Sequence, residues 1–165
     1  MGMPLPRPEV SLELRARIAD LYHAYAEALD DLEFERWPNF FLDECLYKVT
    51  ARTNVAQGLP LGEIYCESKR MLQDRVTTIR QTAMYAPRFV RHFITNLRVN
   101  AARPDGIQSR ANFALHQTMP DAETQLFLSG EYRDRIVEAE GGLFFAERLC
   151  IHDALVVPTS LVFPI

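Results

Sequence analysis

Four histidines, three cysteines and scattered carboxylates are the groups in this 165-residue sequence that could do chemistry. Cys150-Ile151-His152 is the one arrangement with a metal-ligand look. In a strand, residues i and i+2 point to the same face, so the thiol and the imidazole could share an ion. A Rieske iron–sulfur cluster takes two cysteines and two histidines, and its second half would be a Cys-x-x-His. Cys45 is followed at that spacing by Lys48, and Cys66 by Lys69. The motif is half present, and a buried thiol beside a polar strand residue is the simpler reading. A mononuclear iron site wants two histidines and a carboxylate. His23, His92, His116 and His152 form no i, i+4 pair, and His92 and His116 can meet only if their strands are neighbours. No metal or cofactor is expected in this chain. Nucleophile-elbow, dinucleotide and Walker motifs are absent.

Acid–base chemistry is the sharper enzymatic alternative. Tyr22, Tyr25 and Asp30 on one helix, with His92 and His116 on a sheet, could line an apolar pocket. Such a pocket moves carboxylate and imidazole pKa values toward neutrality and supports isomerisation or dehydration. A ligand-binding module without chemistry would need the same cavity. Nothing in the spacing fixes the geometry, and tyrosines packed in a core with satisfied hydroxyls explain the same residues.

The elements that must position these groups follow from periodicity. Residues 11–31 read as a helix, with Leu14, Ile18, Leu21, Tyr22, Tyr25, Ala28 and Leu29 on one stripe and Ser11 as N-cap. A short second helix is expected from Asp31 through Phe34, Trp37 and Phe40, interrupted at Pro38. Residues 45–53 alternate as a strand, and 54–62 carry loop glycines and Pro60. Ser68 caps a further helix that shows Met71, Leu72, Arg75, Val76 and Ile79 on one face. Long strands follow over 88–103, 107–119, 124–138 and 143–155, with turns at Pro104-Asp105-Gly106 and Gly141-Gly142. Helices first and an antiparallel meander after make the class α+β. The expected architecture is a single domain over 11–165, preceded by a loose proline-rich arm over 1–10.

Bulk properties narrow the function. The formal charge of −4 gives no basic footprint for nucleic acid. No apolar run approaches the roughly 18 residues of a membrane helix, and residues 1–10 lack a secretory h-region. An odd number of scattered cysteines fits reduced thiols in a cytoplasm. Charges inside periodic elements, namely Asp74-Arg75, Arg91, Arg98 and Arg148, need partners on covered faces or at a protein–protein contact. The apolar tail over 155–165 must close the domain's own core or lie in a subunit interface.

Several stretches carry a family resemblance in order along the chain: YAEALDDLEFERWPNFFLDECLYKVT (25–50), SKRMLQDRV (68–76), VRHFITNLRV (90–99), SGEYRDRIV (129–137) and ERLCIHD (147–153). With these the chain resembles the small (beta) subunits of bacterial aromatic-ring-hydroxylating dioxygenases, the Rieske non-haem iron oxygenases. The loop over 58–68 looks most like the small subunits of terephthalate dioxygenases and salicylate 5-hydroxylases, which implies an aromatic carboxylic acid as substrate. The resemblance implies a nuclear-transport-factor-2-like cone: a curved antiparallel sheet with about three helices on its concave face. It implies a non-catalytic scaffold that forms a homotrimer and supports large (alpha) subunits in an α3β3 complex. The Rieske [2Fe-2S] cluster and the mononuclear iron then belong to the alpha subunit. Asp74, Arg75, Arg91, His92 and Asn96 become assembly or structural residues. By alternation, Arg91 should face one side of the sheet, and His92 with Asn96 the other.

Overall fold

The computed structural model describes residues 10–157 and 160–165, with the backbone alone at 101 and 102. The expected arm over 1–10 lies outside these residues except for Val10, which is buried. Helix α1 spans Leu12–Asp30. The Ser11 hydroxyl accepts from the Leu14 N–H at 3.1 Å, satisfying one of the donors a helix start leaves open. Ile18, Tyr22, Tyr25, Ala26, Ala28 and Leu29 form its buried face. The helix stops where Leu32 turns left-handed (φ 59°) and the Glu33 N–H reaches back to the Ala28 carbonyl.

Only one 3-10 turn, Trp37–Phe40, forms where a second helix was expected. Pro38 near its start has no N–H to extend a helix, and the chain is extended by Phe41. Strand β1, Phe41–Ala51, therefore begins four residues before Cys45. Helix α2, Arg52–Ala56, follows directly and buries no residue. The expected loop also holds a short strand β2, Ile64–Cys66. Helix α3, Lys69–Gln81, is capped by Ser68 as expected, with Leu72, Val76 and Ile79 buried and Met71 exposed. The remaining strands are β3, Phe89–Arg103; β4, Gly106–Thr118; β5, Gln125–Ala139; and β6, Gly142–His152.

The six strands form one sheet in the order β2-β1-β6-β5-β4-β3. The meander β3 to β6 is antiparallel throughout. The sheet as a whole is mixed, because β1 lies parallel to β6. After β2 the chain crosses the concave side in α3 and enters the sheet again at the far edge, so the last strand returns beside the first in the same direction. Helices α1 and α3 pack on that side over a core that includes Trp37, Phe41, Tyr47, Leu115, Tyr132 and Phe145.

The tail closes the domain's own core. Phe163 and Ile165 are buried, and Phe163 stacks near Phe34 (4.7 Å) and Tyr85 (5.1 Å). Arg75 holds this segment by donating to the Leu161 and Val162 carbonyls at 3.0 and 2.9 Å. Among the described residues, no helix is long and apolar enough to cross a membrane.

Candidate functional site

The inside of the cone is where an enzyme of this shape would keep its site. Strand register places Ser109, Asp134, Arg148, Tyr47 and Cys66 abreast across five strands. Arg148 is fully buried, and its guanidinium carbon lies 3.8 Å from the Tyr132 ring centroid, 4.1 Å from Tyr25, 4.4 Å from Phe145 and 4.9 Å from Tyr22. Four aromatic faces round one cation are a favourable quadrupolar environment. Asp134 supplies the counter-charge, with its Oδ2 3.4 Å from Arg148 Nη1. Tyr22 donates to the same carboxylate and lies 3.1 Å from the Ser109 hydroxyl. Burial pushes the Asp134 carboxyl up to about 6, against the opposing pull of Arg148 and Tyr22. Burial likewise raises the Tyr22, Tyr25, Tyr47 and Tyr132 phenols, so all four stay neutral at any ordinary pH.

Below this row the tail is tied in. Tyr25 donates to the Ile165 main-chain oxygen at 2.8 Å and accepts from Trp37 Nε1 at 3.1 Å. Tyr47 donates to the same oxygen at 3.0 Å, and the Cys150 thiol lies 3.4 Å from it. The space between helices and sheet is thus filled by large side chains, with Trp37, Arg148, Tyr22, Tyr25, Tyr47, Tyr132 and Phe145 all essentially inaccessible.

Of the residues that the sequence offers for acid–base work, only Asp30 and His92 come together, while Tyr25 and His116 lie apart from them. Tyr25 belongs to the filled interior. Asp30 sits at the end of α1, where its Oδ1 receives the His92 main-chain N–H (3.0 Å) and lies 2.7 Å from His92 Nδ1. Arg91 approaches its other oxygen at 3.8 Å. This contact fastens α1 to the edge strand β3. His116 pairs with Arg91, and His92 with Leu115, so the two histidines stand on opposite faces. His116 packs instead against Phe93, 4.9 Å between ring centroids. Cys150 and His152 do share the inner face, yet the thiol lies by Ile165 and His152 Nε2 by Glu63 at 3.1 Å. They do not fit a shared cluster, and the described residues hold no group of three metal-ligating side chains.

Of the proposed assembly residues, Arg75 is an internal clamp on the tail, Asp74 is exposed on α3, and Arg91 is exposed on β3. Asn96 does not share a face with His92. It is left-handed (φ 56°), and the β3–β4 register slips between Thr95 and Arg98. This bulge inserts an extra residue and reverses the alternation, so Leu97 and Val99 follow His92 and Ile94 inward. The outer face of the sheet is the chemically open one: Phe89, Phe93 and Leu126 are each more than half exposed there, beside Arg91 and His116. Sequence reading missed Asp134. Its one signal was a carboxylate at an inward position of a strand that also carries the buried Tyr132 and Ile136.

The comparisons with known proteins agree with this picture. Residues 10–149 match the SnoaL-like domain model. The chain is 33% identical over 145 residues to the anthranilate 1,2-dioxygenase small subunit of Burkholderia cepacia, covering 88% of this chain and 90% of that protein. It is 32% identical over 149 residues to a terephthalate 1,2-dioxygenase terminal oxygenase beta subunit of Comamonas, covering 90% and 97%. The chain belongs to the SnoaL-like family, and within it to the dioxygenase small subunits. A crystal structure of a beta subunit assigned to an aromatic-ring-hydroxylating dioxygenase of Novosphingobium aromaticivorans superposes with a TM-score of 0.86 at 37% identity, covering 95% of this chain and 100% of that one. The benzoate 1,2-dioxygenase beta subunit of Burkholderia mallei shares the fold at 16% identity, TM-score 0.74. The cone expected from the sequence is therefore correct, and these small subunits belong to oxidoreductase complexes.

Proposed function

We propose that this chain acts in assembly rather than in bond making: it trimerises and holds iron-bearing large subunits in an α3β3 oxygenase that works on aromatic carboxylic acids in the cytoplasm. The observation that carries this reading is the filled cone. Where an enzyme would leave room for substrate, Arg148, Asp134 and the surrounding rings occupy the space. The Rieske cluster and mononuclear iron would sit in the large subunit, since Cys150 and His152 are engaged elsewhere. Relatives that act on anthranilate and terephthalate favour a carboxylated ring. All three cysteines are buried free thiols, which suits a reducing compartment.

The test is the light-scattering mass of the purified chain, alone and co-expressed with a Rieske-type large subunit. A trimer that becomes a hetero-hexamer is expected. A monomer that ignores the large subunit would overturn the reading. Arg91→Ala and Asp74→Ala should each lower recovery of the hetero-complex while leaving the isolated chain's melting temperature within a few degrees. Full recovery from both variants would remove these residues from the interface.

A further inference from the structure

The outer face of the sheet carries an unbalanced row of charge. Arg98 on β3, Arg110 on β4 and Arg133 on β5 are direct register partners. Like charges directly opposite one another destabilise a sheet. The row has one carboxylate of its own, Glu131, which lies 3.5 Å from Arg110 and also binds Arg133. Arg98 makes no ion pair among the described residues. Beside the Asn96 bulge lies a concavity of about 910 Å³, whose polar lining is Arg15, Asn96, Arg98, Asn100, Arg110 and Asn112 and whose apolar lining is Leu97 and Val99. Guanidinium forks and amides are carboxylate-binding chemistry, on a chain whose net charge is −4.

The same hairpin carries the complement at its other end. From residue 111 to 132 there is no lysine or arginine. The β4–β5 connection presents Asp121 and Glu123, both exposed and without an ion pair among the described residues. The nearby arginines are directed elsewhere, Arg88 to the Ala86 carbonyl and Gln117, Arg91 toward Asp30. Eight residues of extended strand separate Arg110 from Thr118, about 27 Å. A two-fold contact would set arginine against arginine, whereas a heterologous contact sets one end against the other and closes a ring.

We propose that the Arg98–Arg110–Arg133 row and its concavity receive the Asp121/Glu123 connection of a second copy of this chain, each copy passing its acidic end to the next. The inference rests on the trimer reading above and adds the pair of surfaces that makes it. The test is light-scattering mass against concentration, alone and with a co-expressed Rieske-type large subunit, for the full chain and two double variants, Arg98→Glu/Arg110→Glu and Asp121→Arg/Glu123→Arg. Each reversal places like charges together, which costs several kcal/mol and should raise the concentration for half-assembly by about a hundredfold. Combining all four substitutions should restore the wild-type mass, and that rescue guards against misfolding as the cause. A trimer unaffected by either reversal would overturn the inference and leave the trimer reading intact. An unaffected trimer that no longer recruits the large subunit would overturn it too, by giving the arginine row to that partner. A wild-type chain that is monomeric alone and beside the large subunit would remove both.

Discussion

Replacing Asp134 by Asn tests the reading of the cone interior most directly. Arg148 cannot lose its proton, and it has no hydrogen-bond acceptor of its own beyond the 3.4 Å ion pair. Breaking a buried pair by removing one partner costs about 3–5 kcal/mol, because an uncompensated charge is left behind. For a chain of this size, where 1 kcal/mol moves the midpoint by 2–4 °C, the melting temperature should fall by roughly 6–20 °C. Arg148→Met should behave differently. It leaves a carboxyl whose folded-state pKa is already about 6, and losing Arg148 raises it further, so the group can take up a proton. The damage should therefore be smaller at pH 5 than at pH 8. In the double variant both charges are gone, and stability should return to within about 1 kcal/mol of wild type. The assay is thermal unfolding of all four proteins at fixed chain concentration, at both pH values. A midpoint for Asp134→Asn within 2 °C of wild type would refute the reasoning, as would a double variant no better than the poorer single one.

Gly130→Ala should destabilise strongly, since a Cβ there would lie 2.0 Å from the Ile151 carbonyl oxygen, and the urea midpoint would show it. Burial pushes the Cys150 thiol up to about 12 and Cys45 up to about 11. A thiol reagent at pH 8 should react with them only as fast as the chain opens, and a rapid reaction of both would contradict the burial.

Much of the fold was legible because local signals agreed with the final packing. Ser11 and Ser68 mark the two long helices, and the spacing of Tyr22, Tyr25 and Leu29 marks the face that is buried. Three features were not legible. Asn96 looks like any strand residue until its left-handed backbone shifts the alternation, and that shift separates it from His92. The parallel pairing of β1 with β6 depends on where α3 delivers the chain, a long-range fact with no local trace. Arg148 was recognisable as a charge within a strand, but its companions come from α1 and β5 as well as from its own strand. Only the cross-strand register sets Asp134 beside it, and only the docking of α1 brings Tyr22 and Tyr25 over it. The evolutionary resemblance reached further than the physics here, because it reads the whole chain together.

Trp37 is the one tryptophan in the sequence, and it reports on this interior alone. It is fully buried, edge-on to Tyr47 at 5.0 Å, with its indole N–H on Tyr25. Its ultraviolet emission therefore senses whether the ring cluster and the Ile165 segment are seated, and it is shielded from whatever docks on the outer sheet. Separation of subunits should leave the emission colour unchanged, whereas loss of the core should shift it to the red. One optical channel can thus follow folding while a mass measurement follows association, so the chain carries a natural means of telling a subunit that has come apart from one that has come undone.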